Sequence, residues 1–189
     1  MNRKQFLKDV ACGLCVTAGA SLVPASDLAA AGQASSDDWR LRFVKRRYAK
    51  LWEILSDKMD EATRTQTLHE LGTYCSSLGD EWIKKHNGNF ESFSKSIRES
   101  KSGDFVSYDR ERDVITMASG VRTECFCPFN SEKISPAICN CSLGWQQHTW
   151  ETFLQKKVKV ELKEAVLRGG NRCVFEISPA DATAGKLLG

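Results

Sequence analysis

Cys125-Phe126-Cys127 and Cys139-Asn140-Cys141 stand eleven residues apart, and no other pattern in the chain restricts its fold as much. Two Cys-x-Cys pairs at the ends of one short loop can bring four thiolates to a point. That is the donor set and tetrahedral arrangement a soft metal ion takes. The spacing predicts a metal site of Cys125, Cys127, Cys139 and Cys141, with a structural zinc ion as the expected occupant. Zinc held by four thiolates has no open position, so it would fix the loop and not react. An iron–sulfur cluster is the lesser alternative, because its usual spacings include Cys-x-x-Cys, found here only at Cys12 and Cys15. Disulfides across the 125–141 loop are the competing reading. The two cysteines of one pair are badly held for bonding each other.

The compartment bears on that choice. Arg3-Lys4-Gln5-Phe6-Leu7-Lys8 is basic, an apolar small-residue stretch runs from Val10 to about Val23, and Ala29-Ala30-Ala31 offers a cleavage site. Residues 1–31 therefore read as an export signal, with a periplasmic or other extracytoplasmic destination. Its apolar part is too short to span a bilayer permanently. Asn2 to Lys8 resembles a twin-arginine signal with Lys4 in place of the second arginine. That route carries folded proteins, so a thiolate site could be loaded before export. The general route delivers an unfolded chain to an oxidising compartment, where cysteines pair. Cys12 and Cys15 would leave with the signal.

Without residues 1–31 the chain keeps 158 of its 189 residues, enough for one domain with its own core. Removing Arg3, Lys4, Lys8, Asp9 and Asp27 leaves 24 basic against 22 acidic residues. Nothing in that balance implies nucleic acid. The reading is a single domain over 32–178 and a flexible tail over 179–189.

The first half has helical periodicity, in Leu41, Val44, Tyr48, Leu51 and Leu55 and again in Leu68, Leu71, Cys75 and Leu78. The second half alternates as strands do. Phe105 to Tyr108 and Val114 to Ala118 flank the polar turn Asp109-Arg110-Glu111-Arg112-Asp113. Val158, Val160 and Leu162 alternate with charges, and Cys173, Phe175 and Ile177 form the last strand. Between the hairpins, Ser142 to about Gln155 reads as a helix. The fold class expected is α+β, N-terminal helices followed by an antiparallel sheet with a helix inserted between two hairpins.

Trp145, Trp150 and Phe153 on that helix, facing Phe175 and Ile177, are expected to fill the core or to wall an apolar pocket. The candidate pocket residues are Trp145, His148, Trp150, Phe153, Cys173 and Phe175. Cys75 and Cys173 read as buried apolar thiols. His148 with Glu151 makes a candidate acid–base pair one turn apart. Arg40, Arg42, Lys45, Arg46, Arg47 and Lys50 with Trp39 and Trp52 make residues 39–52 a basic helix, either a solvated face or a weak contact with an anionic membrane.

The segment Cys139-Asn140-Cys141-Ser142-Leu143-Gly144-Trp145 and the closing Arg168-Gly169-Gly170-Asn171-Arg172-Cys173-Val174-Phe175-Glu176-Ile177 carry a resemblance over roughly residues 65–178. The chain resembles the 4-vinyl-reductase-type small-molecule-binding domains and the related L-2-amino-thiazoline-4-carboxylate hydrolase-like proteins. The resemblance implies helices and a sheet around an apolar pocket, with a cysteine-bound metal in some members. No catalytic residue of the hydrolase group maps onto this chain. The function expected is an exported module binding a small apolar or aromatic ligand, with a hydrolase or reductase as the alternative.

Overall fold

The computed structural model describes residues 25–86, 88–99, 104–125, 127, 135–181 and 185–188, with side chains from Trp39 onward. Its elements are helices α1 (Ala25–Ser56), α2 (Glu61–Ser77), α3 (Asp80–Lys84) and α4 (Phe90–Glu99), strands β1 (Phe105–Asp109) and β2 (Val114–Ala118), helix α5 (Cys139–Leu154), and strands β3 (Val158–Glu164) and β4 (Val174–Pro179). The fold is α+β, as the periodicities predict.

The chain divides into two compact units, Met1–Phe43 and Val44–Gly189. In the first, residues 25–43 are the opening turns of α1. Trp39 and Phe43 lie one turn apart, their rings tilted by 57° with centroids 6.3 Å from each other, and the Arg40 guanidinium lies 5.9 Å from the Trp39 ring centre. Residues 1–24 of the expected export signal lie outside the described residues. No helix among the described residues is long and apolar enough to cross a membrane.

In the second unit the four strands run antiparallel in the order β1-β2-β4-β3. Register follows from alternation. Ile115 pairs with Ile177 and Met117 with Phe175, Val160 with Ile177 and Leu162 with Phe175, so one face is continuously apolar. The other face carries Thr116, Glu176 and Glu161 in one row. Glu161 and Glu176 face each other as like charges. Lys163 lies 3.3 Å from one and 3.4 Å from the other and offsets their repulsion.

The apolar face packs under α5 and α4. Trp150 and Phe93 are fully buried, and Phe153 nearly so. Phe93 stacks on Phe153 at 4.4 Å, and Trp150 meets both edge-on. The Trp150 indole donates to Gln146 Oε1 at 3.2 Å, so its polar end is satisfied. The space between helix and sheet is therefore filled with rings.

Helix α2 crosses α5 with glycine at both contact points. A Cβ on Gly72 would lie 1.8 Å from the Cys141 carbonyl oxygen, and one on Gly144 would lie 1.9 Å from that of His69. Only hydrogen fits at either position. Around this contact Ser76 and Thr149 share a buried hydroxyl bond of 2.8 Å, and His69 meets Gln147 at 3.0 Å.

Three expectations are corrected. The stripe of α1 turns inward through Tyr48 and Trp52, which pack on Leu68 and Ile138, while Val44 and Leu51 are more than half exposed. The bulkiest ring takes the buried face, and Leu51 lies about 100° around the helix from it. Trp145 is 45% exposed: five residues before the fully buried Trp150, it lies about 140° around the helix from it. Residues 185–188 are tied down, within the stretch expected to be a loose tail. Leu187 is buried in the main core, and its N–H donates to both carboxylate oxygens of Asp113, at 3.1 and 3.2 Å.

Candidate ligand cavity and cysteine region

The polar turn of the first hairpin builds one wall of a cavity. Asp109 Oδ1 accepts from the N–H groups of Glu111 and Arg112, and Asp113 closes the turn with φ of 53°. Short polar side chains tolerate that left-handed backbone. The turn aims the Asp113 carboxylate at Tyr108, whose hydroxyl donates to it at 2.6 Å. This bond, with burial second, raises the Tyr108 pKa. The same carboxylate holds Leu187, and Lys156 Nζ donates to the Lys186 carbonyl at 2.6 Å. Residues 185–188 are thus fastened at two points as a strap.

Between strap, hairpin and α4 lies an open-sided cavity of about 690 Å³. Phe90, Tyr108, Leu154, Leu187 and Leu188 form its apolar floor, and Arg110, Lys156, Lys186 and Glu91 its rim. The volume is in the range of small-ligand sites. Three cations face one carboxylate around an apolar base. The arrangement can take a molecule with an apolar body and an anionic end.

The pocket residues expected from the sequence are placed elsewhere. Trp150 and Phe175 are in the core and Trp145 is on the surface. Cys173 packs against the core at the start of β4, and its N–H donates to Ser119 Oγ. Phe153 borders a second cavity, lined also by Lys84, Gly88, Leu154 and Gln155. His148 pairs with Asp80 of α3, Nε2 to Oδ1 at 2.8 Å, and not with Glu151. That bond is the main cause that lowers the Asp80 pKa. Thr152 Oγ1 approaches the same Nε2 at 3.4 Å. Glu151 is occupied by Gln147, Lys157 and the Val158 N–H. The cavity escaped the sequence reading because its lining comes from four separated segments. The signal available was Leu187-Leu188, a pair of large apolar residues in an end otherwise made of small and polar ones.

The cysteines depart from the expected convergence for a geometric reason. A single 3-10 turn, Pro136–Ile138, capped by Ser135 Oγ on the Ala137 N–H, runs straight into α5. The helix therefore begins at Cys139, three residues before the sequence suggests. Residues two apart on a helix point about 200° from each other, so Cys139 and Cys141 diverge. Cys139 is buried toward Cys125, Cys127 and Cys173; burial first, and then those thiols, push its pKa up to about 11 against the pull of Arg168. Cys141 turns to α2. Burial first, and then Cys75 and Cys127, push it up to about 11. Tyr48, raised to about 12 chiefly by burial, feels Cys141, Cys127 and Cys75. In the loop, the Cys127 N–H donates to Cys125 Sγ at 3.4 Å. Among the described residues, no three His, Cys, Asp or Glu side chains stand ready to hold one metal ion.

No family model matches this chain, and no curated protein does. Solved structures do. A trafficking protein particle complex subunit 3 from Naegleria fowleri, described as covalently bound to palmitic acid, is similar at 15% identity and a TM-score of 0.50, over 76% of this chain and 97% of that one. A vinyl-4-reductase family protein from Methanocaldococcus jannaschii is similar at 13% identity and a TM-score of 0.34, over 86% and 85%. An H-NOX domain from Shewanella oneidensis is similar at 15% identity and a TM-score of 0.29, over 94% and 87%. The first of these likenesses is one of fold: the described helices and four-stranded antiparallel sheet follow the architecture of the trafficking subunit along nearly all of its length.

Proposed function

We propose that the second unit is a small-molecule-binding domain whose ligand joins an apolar body to an anionic end. The observation that carries this reading is the cavity of about 690 Å³, with Arg110, Lys156 and Lys186 set around a floor of Phe90, Leu154, Leu187 and Leu188. A wholly apolar ligand would leave three cations without a role. A small hydrophilic anion would gain nothing from the floor. A long-chain carboxylate uses both, its chain removed from water and its head paired at the rim. The fold likeness to the palmitate-bearing Naegleria subunit supports an acyl chain as the apolar body. Export belongs to the same reading and rests on the order of residues 1–31.

The test is displacement of a fluorescent anionic fatty-acid analogue from the purified full chain. Saturable binding, reversed by palmitate and not by its methyl ester, supports the reading. Arg110→Ala and Lys156→Ala should each weaken it. Absence of saturable binding, or equal competition by acid and ester, would refute it.

A further inference from the structure

The second cavity, about 580 Å³ in volume, adjoins the first: Leu154 and Gly88 stand in the walls of both, at the C-terminal end of α5. The two differ in what they offer. In the first, Arg110, Lys156 and Lys186 surround an apolar floor. In the second, the polar groups are already engaged. Lys84 Nζ lies 3.1 Å from the Asp80 carboxylate, and Gln155 Nε2 donates to the Thr152 carbonyl of its own helix. What remains for a ligand there is the carbon surface of Phe153 and Leu154. Gly88 marks the place where the two meet. Its φ of 71° is the left-handed backbone that favours glycine, and a Cβ added to it would find nothing within 4 Å. No side chain therefore closes the space at that point.

We propose that the two cavities form one groove for a long acyl chain, with Gly88 as the residue that sets how long a chain it takes. The carboxylate lies at Arg110 and Lys186, the chain crosses Leu154 past Gly88, and its far end rests against Phe153. This rests on the reading of the first cavity as a site for an anionic head and an apolar body. The polarity of the groove fixes the direction. A carboxylate in the second cavity would meet a lysine that Asp80 already neutralises, whereas a chain end there leaves water at no cost in unpaired charge. Each methylene carried past Gly88 adds apolar area removed from water, so long-chain acids are preferred over short ones. A side chain at position 88 would stand in the passage and shorten the groove.

The test is competition of octanoate and palmitate for the full chain, unaltered and in two variants. Lys84→Trp places bulk in the second cavity from an exposed helix position and does not touch the first. Gly88→Asn puts a side chain in the passage, and asparagine tolerates the left-handed backbone. Each should weaken palmitate about tenfold, what roughly two methylenes returned to water are worth, and leave octanoate within about twofold. Palmitate held by either variant as tightly as by the unaltered chain overturns the groove. So does an equal loss for both acids. If no acid binds saturably to the unaltered chain, the ligand reading of the first cavity falls, and the groove with it. Saturable binding that ignores the variants overturns the groove alone. Should a variant fail to fold, a palmitate analogue with a photoreactive diazirine at its chain end decides the matter on the unaltered chain. Labelling of Lys84 or of residues 153–155, read by peptide mass, sustains the groove. Labelling confined to residues 108–110 or 186–188 overturns it.

Discussion

Gly72 and Gly144 each occupy the one place where the other's helix leaves no room for a side chain. Gly72 lies against the Cys141 carbonyl and Gly144 against that of His69. Gly144→Ala should therefore overpack a backbone-to-backbone contact. The expected loss is about 1–3 kcal/mol or somewhat more, since a carbonyl cannot rotate away as a side chain can. Gly79→Ala is the control: its nearest neighbour is 3.4 Å from the added carbon, and because Gly79 is the N-cap of α3, where alanine is the poorer cap, the loss should stay below about 1 kcal/mol. Urea midpoints of the two variants check both.

Trp150→Ala should cost about 3–5 kcal/mol, the penalty for removing a fully buried aromatic, because Phe93, Phe153 and Phe90 all rest on that ring. Denaturant unfolding measures it. A loss below about 1 kcal/mol would mean that the ring walls an open cavity instead.

Asp113→Asn should loosen the strap and weaken the ligand together. The half-buried carboxylate accepts from the Tyr108 hydroxyl and, with both oxygens, from the Leu187 N–H, and hydrogen bonds to a charged group contribute about 1.5–3 kcal/mol each, part of which the neutral amide would lose. Ultraviolet titration gives an independent readout: the Tyr108 pKa should fall back toward the ordinary tyrosine value once its charged acceptor is gone.

Stability should decline on the acid side through Asp80. The bond from His148 is the first cause holding this carboxyl below the usual range, with Lys84 assisting. A carboxyl with a depressed folded pKa contributes stability above its unfolded value. That contribution is lost as pH falls from about 4 through the folded value. Asp80→Asn should flatten this part of the curve of unfolding free energy against pH. An unchanged acid limb would mean that other carboxylates govern it.

N-terminal sequencing of protein from its native host should find a start near Gly32, with the protein outside the cytoplasm. An intact Met1 in the cytoplasm would refute export.

The sheet was legible in the sequence because strand alternation is local. Val158, Val160 and Leu162, and Phe175 and Ile177, announce their face without reference to anything distant. Asp109 to Asp113 announces its turn through side chains that bond their own backbone. The cysteine geometry was not legible, since it depends on where α5 starts. Three residues more of helix convert Cys139 and Cys141 from converging loop residues into diverging ones. The cavity depends in the same way on Leu187 returning to Asp113.

The placement of β3 at the rim of the sheet has a consequence for how this protein behaves among its own copies. An outermost strand offers unpaired backbone groups to any passing chain, and an apolar one would invite extension of the sheet from molecule to molecule. Here Lys157, Lys159 and Lys163 run along that border with Glu161, held by ion pairs, and the ladder breaks register between Leu162 and Glu164. Another copy approaching edge-on meets like charges and an irregular backbone. The same lysines that look like ordinary surface decoration thereby act as a guard against fibre-like growth.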